Sequence, residues 1–212
     1  MDSLPRAVYA ARPFPEAIMA TIQSLAVFCG SQTGHGASHC ALAHALGGAL
    51  AANGIRLIFG GGRIGLMGVL ADATLAAGGT AVGVIPKHLR RLEVAHEGLS
   101  ELITVASMHE RKQRMFELAD GFAVLPGGLG TLDETIEVLT WKLLALHDKP
   151  LVLLDDKGYW RPLLDLIDHT VSAGFTGKDA RALYQVAGDL DGLFAALGAA
   201  APSEHESHPE RL

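Results

Sequence analysis

A chain of 212 residues, 49% hydrophobic and 19% charged, has enough apolar content for one α/β domain with a substantial core and little room for two. The formal net charge of −6 excludes a general nucleic-acid binder, because phosphate-backbone affinity rests on an excess of Lys and Arg; any basic patch must be local. Cys29 and Cys40 give neither a metal spacing nor a disulfide framework, no apolar run is long enough to span a bilayer, and the N-terminus lacks the features of a secretory signal, so a soluble cytoplasmic protein with no metal and no membrane partner is expected.

Residues 1–22 contain Pro5, Pro13 and Pro15 and read as an extension or a short surface helix outside a single domain over 23–199. The run 25–29 is short, apolar and β-prone, and it is followed by the loop GSQTGHG at 30–36 and an alanine-rich helical run at 37–53. Ser31 and Thr33 offer hydroxyls to a ligand, although loop hydroxyls mostly satisfy local backbone. His35 and His39 are four apart at the helix start but lack a third ligand, and are read as uncoordinated. A second strand at 55–59 ends in GGGRIGLMG at 60–68, ahead of a helix to about residue 77. Gly60, Gly62 and Gly65 satisfy G-x-G-x-x-G in the right context for a dinucleotide site. The acidic residue that would hold a ribose at the end of the next strand is missing, since 80–85 runs into Pro86 and Lys87. The glycines are therefore read as letting backbone approach a ligand, without implying a dinucleotide.

Residues 88–100 are irregular and charged, with Arg90, Arg91, Glu93, His96 and Glu97, either a loop that closes over a site or plain solvated charge. A strand at 102–106 leads into SMHERKQRMFELAD at 107–120, which has helical periodicity. There Met108, Met115 and Leu118 share a face with Arg111, and a guanidinium on an apolar stripe needs a carboxylate, a phosphate or an open cleft. A snorkelling surface arginine is the bland alternative. HERKQ at 109–113 fails as a zinc helix because Gln113 stands at the second histidine position.

The stretch LPGGLGTLDE at 125–134 joins a strand at 121–125 to a helix at 131–146. Gly127, Gly128 and Gly130 free the backbone to take φ > 0 and to approach a ligand, while the first helical amides point outward without partners. Such a turn suits phosphate. Glu134 at its exit would repel a phosphate laid against it and stabilise a cation forming nearby, so the site reads as two-part, phosphate on the amides and reacting carbon at the carboxylate. The structural alternative is a capping box of Thr131 and Glu134. Strands at 151–154 and 184–186 and helices at 159–173 and 189–197 follow, and the tail 200–212, with His205 and His208, reads as flexible. The β-α order predicts a mostly parallel sheet with helices on both faces, and the glycine loops after Cys29, Phe59 and Leu125 would open together at its ligand-binding end.

With GGGRIGLMG, SMHERK and PGGLGTLDE taken together, the chain resembles the LOG family, the cytokinin riboside 5′-monophosphate phosphoribohydrolases, over about residues 25–197. Arg-Lys followed by P-G-G-x-G-T-x-x-E is a highly specific combination. The resemblance implies a Rossmann-like three-layer α/β fold, a homodimer or larger homo-oligomer, no redox cofactor, and release of a purine base and ribose 5-phosphate from a nucleoside 5′-monophosphate. By position it implies catalytic roles for Arg111 and Glu134, and a substrate site lined by Glu93, Lys112, the run from Gly128 to Asp133 (with Gly130 and Thr131) and Thr140. Ser31, Gly61, Gly62, Met67 and Gly127 in the glycine loops are further candidate substrate contacts. Asp133 stands where a glutamate is common and Arg91 where a proline is frequent, which leaves open the choice between N6-modified and plain adenine. Glu93 and Asp133 are unranked candidates for the proton-transfer group. Family members are often labelled lysine decarboxylases, but pyridoxal phosphate chemistry needs a Schiff-base lysine and an acidic partner for the ring nitrogen, and Lys112 is better explained as a phosphate or substrate contact. A non-catalytic nucleotide-binding or carrier protein is the rival expectation.

Overall fold

Leu25 and Val27 leave the first strand on one side and Ala26 and Phe28 on the other, and all four are buried, so this strand is covered on both faces. That is the signature of a parallel sheet between two helical layers. The computed structural model describes residues 22–90 and 94–199, and within them the chain runs β1 (Ser24–Phe28), α1 (Ala37–Ala52), β2 (Arg56–Phe59), α2 (Gly65–Ala76), β3 (Ala81–Pro86), β4 (Glu101–Val105) and α3 (Met108–Leu118). It continues with β5 (Gly121–Val124), α4 (Leu129–Leu143), β6 (Leu151–Leu154), α5 (Arg161–Ser172), β7 (Gln185–Ala187) and α6 (Leu190–Ala199). The predicted extension 1–22 apart from Ile22, the tail 200–212, and the loop positions Arg91 and Glu93 lie outside the described residues.

All seven strands are parallel, in the order β4-β3-β2-β1-β5-β6-β7. The chain winds outward from β1 to β4, then returns to place β5 on the other side of β1, with Leu25 opposite Gly121 and Phe28 opposite Val124. The winding reverses between β1 and β5, where open α/β sheets carry their ligand crevice beyond the strands' carboxyl ends. Helices α1, α2 and α6 pack on one face through Leu46, Leu50, Leu66, Leu70 and Phe194; α3, α4 and α5 pack on the other through Met115, Val138, Leu139 and Leu163. Gly47 lies against Leu70 and Ala73 with no room for a β-carbon, which lets α1 and α2 touch.

The predicted elements are all present, with ends moved by at most three residues. The helix expected over 131–146 instead begins at Leu129 and ends at Leu143, because Ala145 takes a left-handed φ of 56° and turns the chain. Two 3-10 turns, Asp156–Gly158 and Lys178–Ala182, were not legible in the hydrophobic pattern. Among the described residues no helix is long and apolar enough to cross a membrane.

Candidate active site

Gly30 is the hub that draws three sequence-distant loops together. Its N–H donates to the Pro126 carbonyl at 3.0 Å and its carbonyl accepts from the Leu66 N–H at 3.0 Å. The loop after β1, the start of α2 and the turn before α4 therefore meet over β1. Between them lies a cavity of about 180 Å³ whose floor is Val27 and Cys29 and whose walls include Ser31, Gly60, Met67, Met108, Arg111, Gly128, Leu129, Gly130, Thr131, Asp133 and Glu134. A more open depression of about 750 Å³ lies beside edge strand β4, lined by Lys87, Arg90, His96 and Glu97, and holds none of the motif residues.

One wall is the start of α4. Its N-cap is Gly128, and the first bond of its ladder runs from Leu132 N–H to the Gly128 carbonyl at 3.0 Å, so the amides of Leu129, Gly130 and Thr131 precede it. These are the donors that suit an anion. The glycines act differently from expectation: Gly127, Gly128 and Gly130 do not take positive φ, whereas Gly61 (φ 77°) and Gly65 (φ 63°) in the second loop do. Gly127 is needed because a β-carbon would strike Thr131, and Gly128 and Gly130 have open space beside them among the described residues.

The capping-box alternative for Thr131 and Glu134 fails on register, since Thr131 is already the third residue of the helix and Glu134 sits in its second turn. A capping-box variant stands instead at the head of α3, where Ser107 Oγ accepts from the Glu110 N–H at 3.1 Å and Glu110 Oε2 from the Ala106 N–H at 2.7 Å. That cap fixes the helix that carries Arg111 into the cavity.

Arg111 is 4% exposed. Its Nη2 donates to the Gly60 carbonyl at 3.2 Å, and its Nη1 lies 3.9 Å from Met108 Sδ. A β-carbon at Gly60 would collide with this guanidinium, so the second glycine loop serves as the seat of Arg111. Burial pushes the Cys29 thiol far above its ordinary range; the Glu134 charge raises it further and the Arg111 charge opposes. Both charges thus act at the cavity floor, where Cys29 stays a neutral thiol.

Lys112 is paired away from the floor, with its Nζ 3.1 Å from both Asp133 Oδ2 and Glu137 Oε2. Burial lowers its pKa, but the hydrogen bonds and charges of those two carboxylates outweigh this and raise it above the ordinary lysine value. An ammonium held in that way is a poor Schiff-base nucleophile, which agrees with setting the decarboxylase chemistry aside. Of the other sequence candidates, Ser31 and Met67 line the cavity, while Gly61 packs on Ile85, Leu102 and Val84, and Gly62 bridges to Ala95. Thr140 is on the exposed side of α4, its hydroxyl bonded to the Ile136 carbonyl at 2.7 Å. His39 binds Asp156 across 2.8 Å, and no cluster of metal-ligating groups occurs among the described residues. Sequence reasoning missed Val27, Cys29 and Met108 in the lining, and Tyr159, whose hydroxyl donates to the Gly127 carbonyl at 2.6 Å. The strand-end position of Cys29 before a glycine loop was the available signal for the floor; nothing local marks Tyr159.

A doubly wound parallel sheet with a helix start facing a buried guanidinium at its switch point defines a Rossmann-like α/β protein with a cleft suited to an anionic ligand. Comparison with known proteins narrows this. The family model described as "Possible lysine decarboxylase" matches residues 67–197. A cytokinin riboside 5′-monophosphate phosphoribohydrolase of Rhodococcoides fascians is 47% identical over 192 residues, covering 88% of this chain and 97% of that protein. The LOG protein of Oryza sativa subsp. japonica, named likewise, is 47% identical over 157 residues, covering 74% of this chain and 65% of its own length. The molybdenum cofactor carrier protein of Chlamydomonas reinhardtii shares the fold at a TM-score of 0.64 and 23% identity, over 84% of this chain and 96% of that one. The chain belongs to the LOG family.

Proposed function

We propose that this protein hydrolyses the N-glycosidic bond of purine riboside 5′-monophosphates, AMP or its N6-modified cytokinin-type analogues, to give the free base and ribose 5-phosphate. The observation that carries the reading is that Glu134 and Arg111 line the same cavity as the start of α4. The 47% identity to the relative from Rhodococcoides fascians, over 97% of that protein, supports it.

The 5′-phosphate rests on the amides of the 127–131 turn, those of Gly128 and 129–131 among them, leaving the ribose over the floor. As the C1′–N9 bond stretches, its electron pair moves to the purine and the sugar becomes cationic. Glu134 stabilises that charge, either electrostatically or as a nucleophile, as carboxylates do in glycoside hydrolysis. At ~4 Å and an effective dielectric of about 20, one such charge is worth roughly 4 kcal/mol, on the order of a thousandfold in rate. Water supplies hydroxide to C1′ and a proton to the departing base. Arg111 holds charge and orientation and does not donate the proton, because guanidinium pKa values are too high. Asp133, on the cavity wall, remains a candidate for the proton relay together with Glu93.

We assign the working form to a homodimer or larger homo-oligomer in the cytoplasm, acting without a redox cofactor, nucleic acid or membrane. The support for assembly is an exposed apolar stripe along α4, where Leu129 (84% exposed), Ile136 (43%) and Leu143 (49%) recur every seventh residue with Thr140 between them. The deciding experiment incubates the protein with AMP and with isopentenyladenosine monophosphate and resolves free base by chromatography. Release of base is expected; tight nucleotide binding with no release would overturn the hydrolase reading in favour of a carrier.

A further inference from the structure

We infer that Tyr159 is a positioning residue for the phosphate turn, holding the Gly127–Gly128 peptide in the orientation that lets its amide face the ligand; this rests on the hydrolase reading above. The peptide between two glycines is the easiest in a chain to flip, because neither side carries a β-carbon that restricts rotation. Flipped, it would present a carbonyl oxygen to a phosphate where an N–H is required. In a trans peptide the C=O and the following N–H point in opposite directions, and no peptide among the described residues is cis. Whatever holds the Gly127 carbonyl away from the cavity therefore turns the Gly128 N–H toward it, and Gly128 is a cavity-wall residue. The Tyr159 hydroxyl is that holder, donating to the Gly127 carbonyl at 2.6 Å.

The tyrosine is itself braced. The next residue, Trp160, donates its indole N–H to the Val124 carbonyl at 3.3 Å and its backbone N–H to Asp155 Oδ1 at 2.7 Å, so the segment grips the turn before and after Leu125 and Pro126. Lys157 (φ 56°) and Gly158 (φ 81°) take left-handed conformations that bend the chain back over the turn. From the other side, His39 at the start of α1 packs its ring edge-to-face on Tyr159, centroids 5.6 Å apart, and binds Asp156 Oδ2 through Nδ1 at 2.8 Å. Tyr159 is 40% exposed and makes no contribution to the cavity lining, so its hydroxyl acts on substrate only through the peptide it holds.

The test compares wild type with Tyr159→Phe and His39→Phe, using AMP, adenosine and ribose 5-phosphate. Tyr159→Phe should raise KM for AMP and weaken calorimetric binding of ribose 5-phosphate in parallel, by roughly three- to tenfold, the range that loss of one neutral hydrogen bond gives. Its kcat should stay within about twofold, its thermal midpoint should match wild type, and any residual cleavage of adenosine, which has no phosphate, should be unaffected. His39→Phe, which keeps the ring contact and loses the Asp156 bond, should shift the same two quantities in the same direction by less. Wild-type KM and wild-type ribose 5-phosphate affinity in Tyr159→Phe would overturn the inference, as would an equal loss on adenosine. If wild type binds ribose 5-phosphate and releases no base from AMP, the hydrolase reading falls while the binding comparison still decides the role of Tyr159; a wild type that neither binds ribose 5-phosphate nor releases base overturns both.

Discussion

Glu134 and Arg111 occupy different places in the cavity wall, one on α4 and one on α3. Glu134 sits in the second turn of α4 and takes no part in the cap, which Gly128 occupies. Glu134→Gln should cut base release from AMP by about a thousandfold, the worth of one well-placed charge; near-normal turnover of that variant would remove the carboxylate from the mechanism. Arg111 is buried and donates to the Gly60 carbonyl. Arg111→Ala should lower turnover by orders of magnitude and also destabilise the protein by about 1–3 kcal/mol, because a buried acceptor loses its partner; denaturant melts alongside the base-release assay separate the two effects. Arg111 was legible in the sequence because a guanidinium on an apolar helical stripe has to be explained. Its seat was not: Gly60 reads as part of a phosphate fingerprint, and only the folded chain shows that its missing side chain makes room for the arginine. The capping-box alternative at Thr131 stayed open in the sequence for a related reason, since Thr-x-x-Glu and Ser-x-x-Glu carry the same signal and register alone decides which one caps.

At the scale of elements, the turn after α4 holds a titrating joint. His147 donates from Nε2 to the Val138 carbonyl at 3.0 Å and accepts the Lys149 N–H at Nδ1 at 3.1 Å, an arrangement that requires the neutral ring. It packs edge-on against Phe116 and Phe122, tying α4 to α3 and β5. Burial lowers its pKa from the ordinary 6.5; the Val138 bond opposes this, and Lys142 and Lys149 add to the lowering. Since the folded pKa lies below the unfolded one, the unfolded state binds more protons between them. Stability should thus be full above pH 6.5 and fall as the pH drops through 6.5 toward the lowered folded value. Urea melts across that range should show the loss in wild type and a weaker slope in His147→Gln. The elements themselves were legible from apolar runs and glycine punctuation; the 3-10 turn at 156–158 was not, because its polar residues look like any loop, and with it went the sequence's only chance to flag Tyr159.

For the whole molecule, the apolar stripe on α4 carries the expectation of assembly. Ile136→Glu, on a surface 43% exposed, should leave the fold unaltered and shift light-scattering mass toward the monomer; an unchanged mass would remove this stripe from the interface. The reversal of winding at β1 was legible only in part, since the β-α order gives a parallel sheet and leaves open which strands lie side by side. That adjacency also sets when in synthesis the pocket comes into being. A nascent chain that has reached β4 already owns Gly30, Gly60 and Met67, yet the Pro126 carbonyl that pins the first loop, the guanidinium and the amide wall are all still to be made. Prematurely terminated products that stop before α4 therefore carry half a cleft, whose lining is completed only by the turn and helix that follow the strand closing the middle of the sheet.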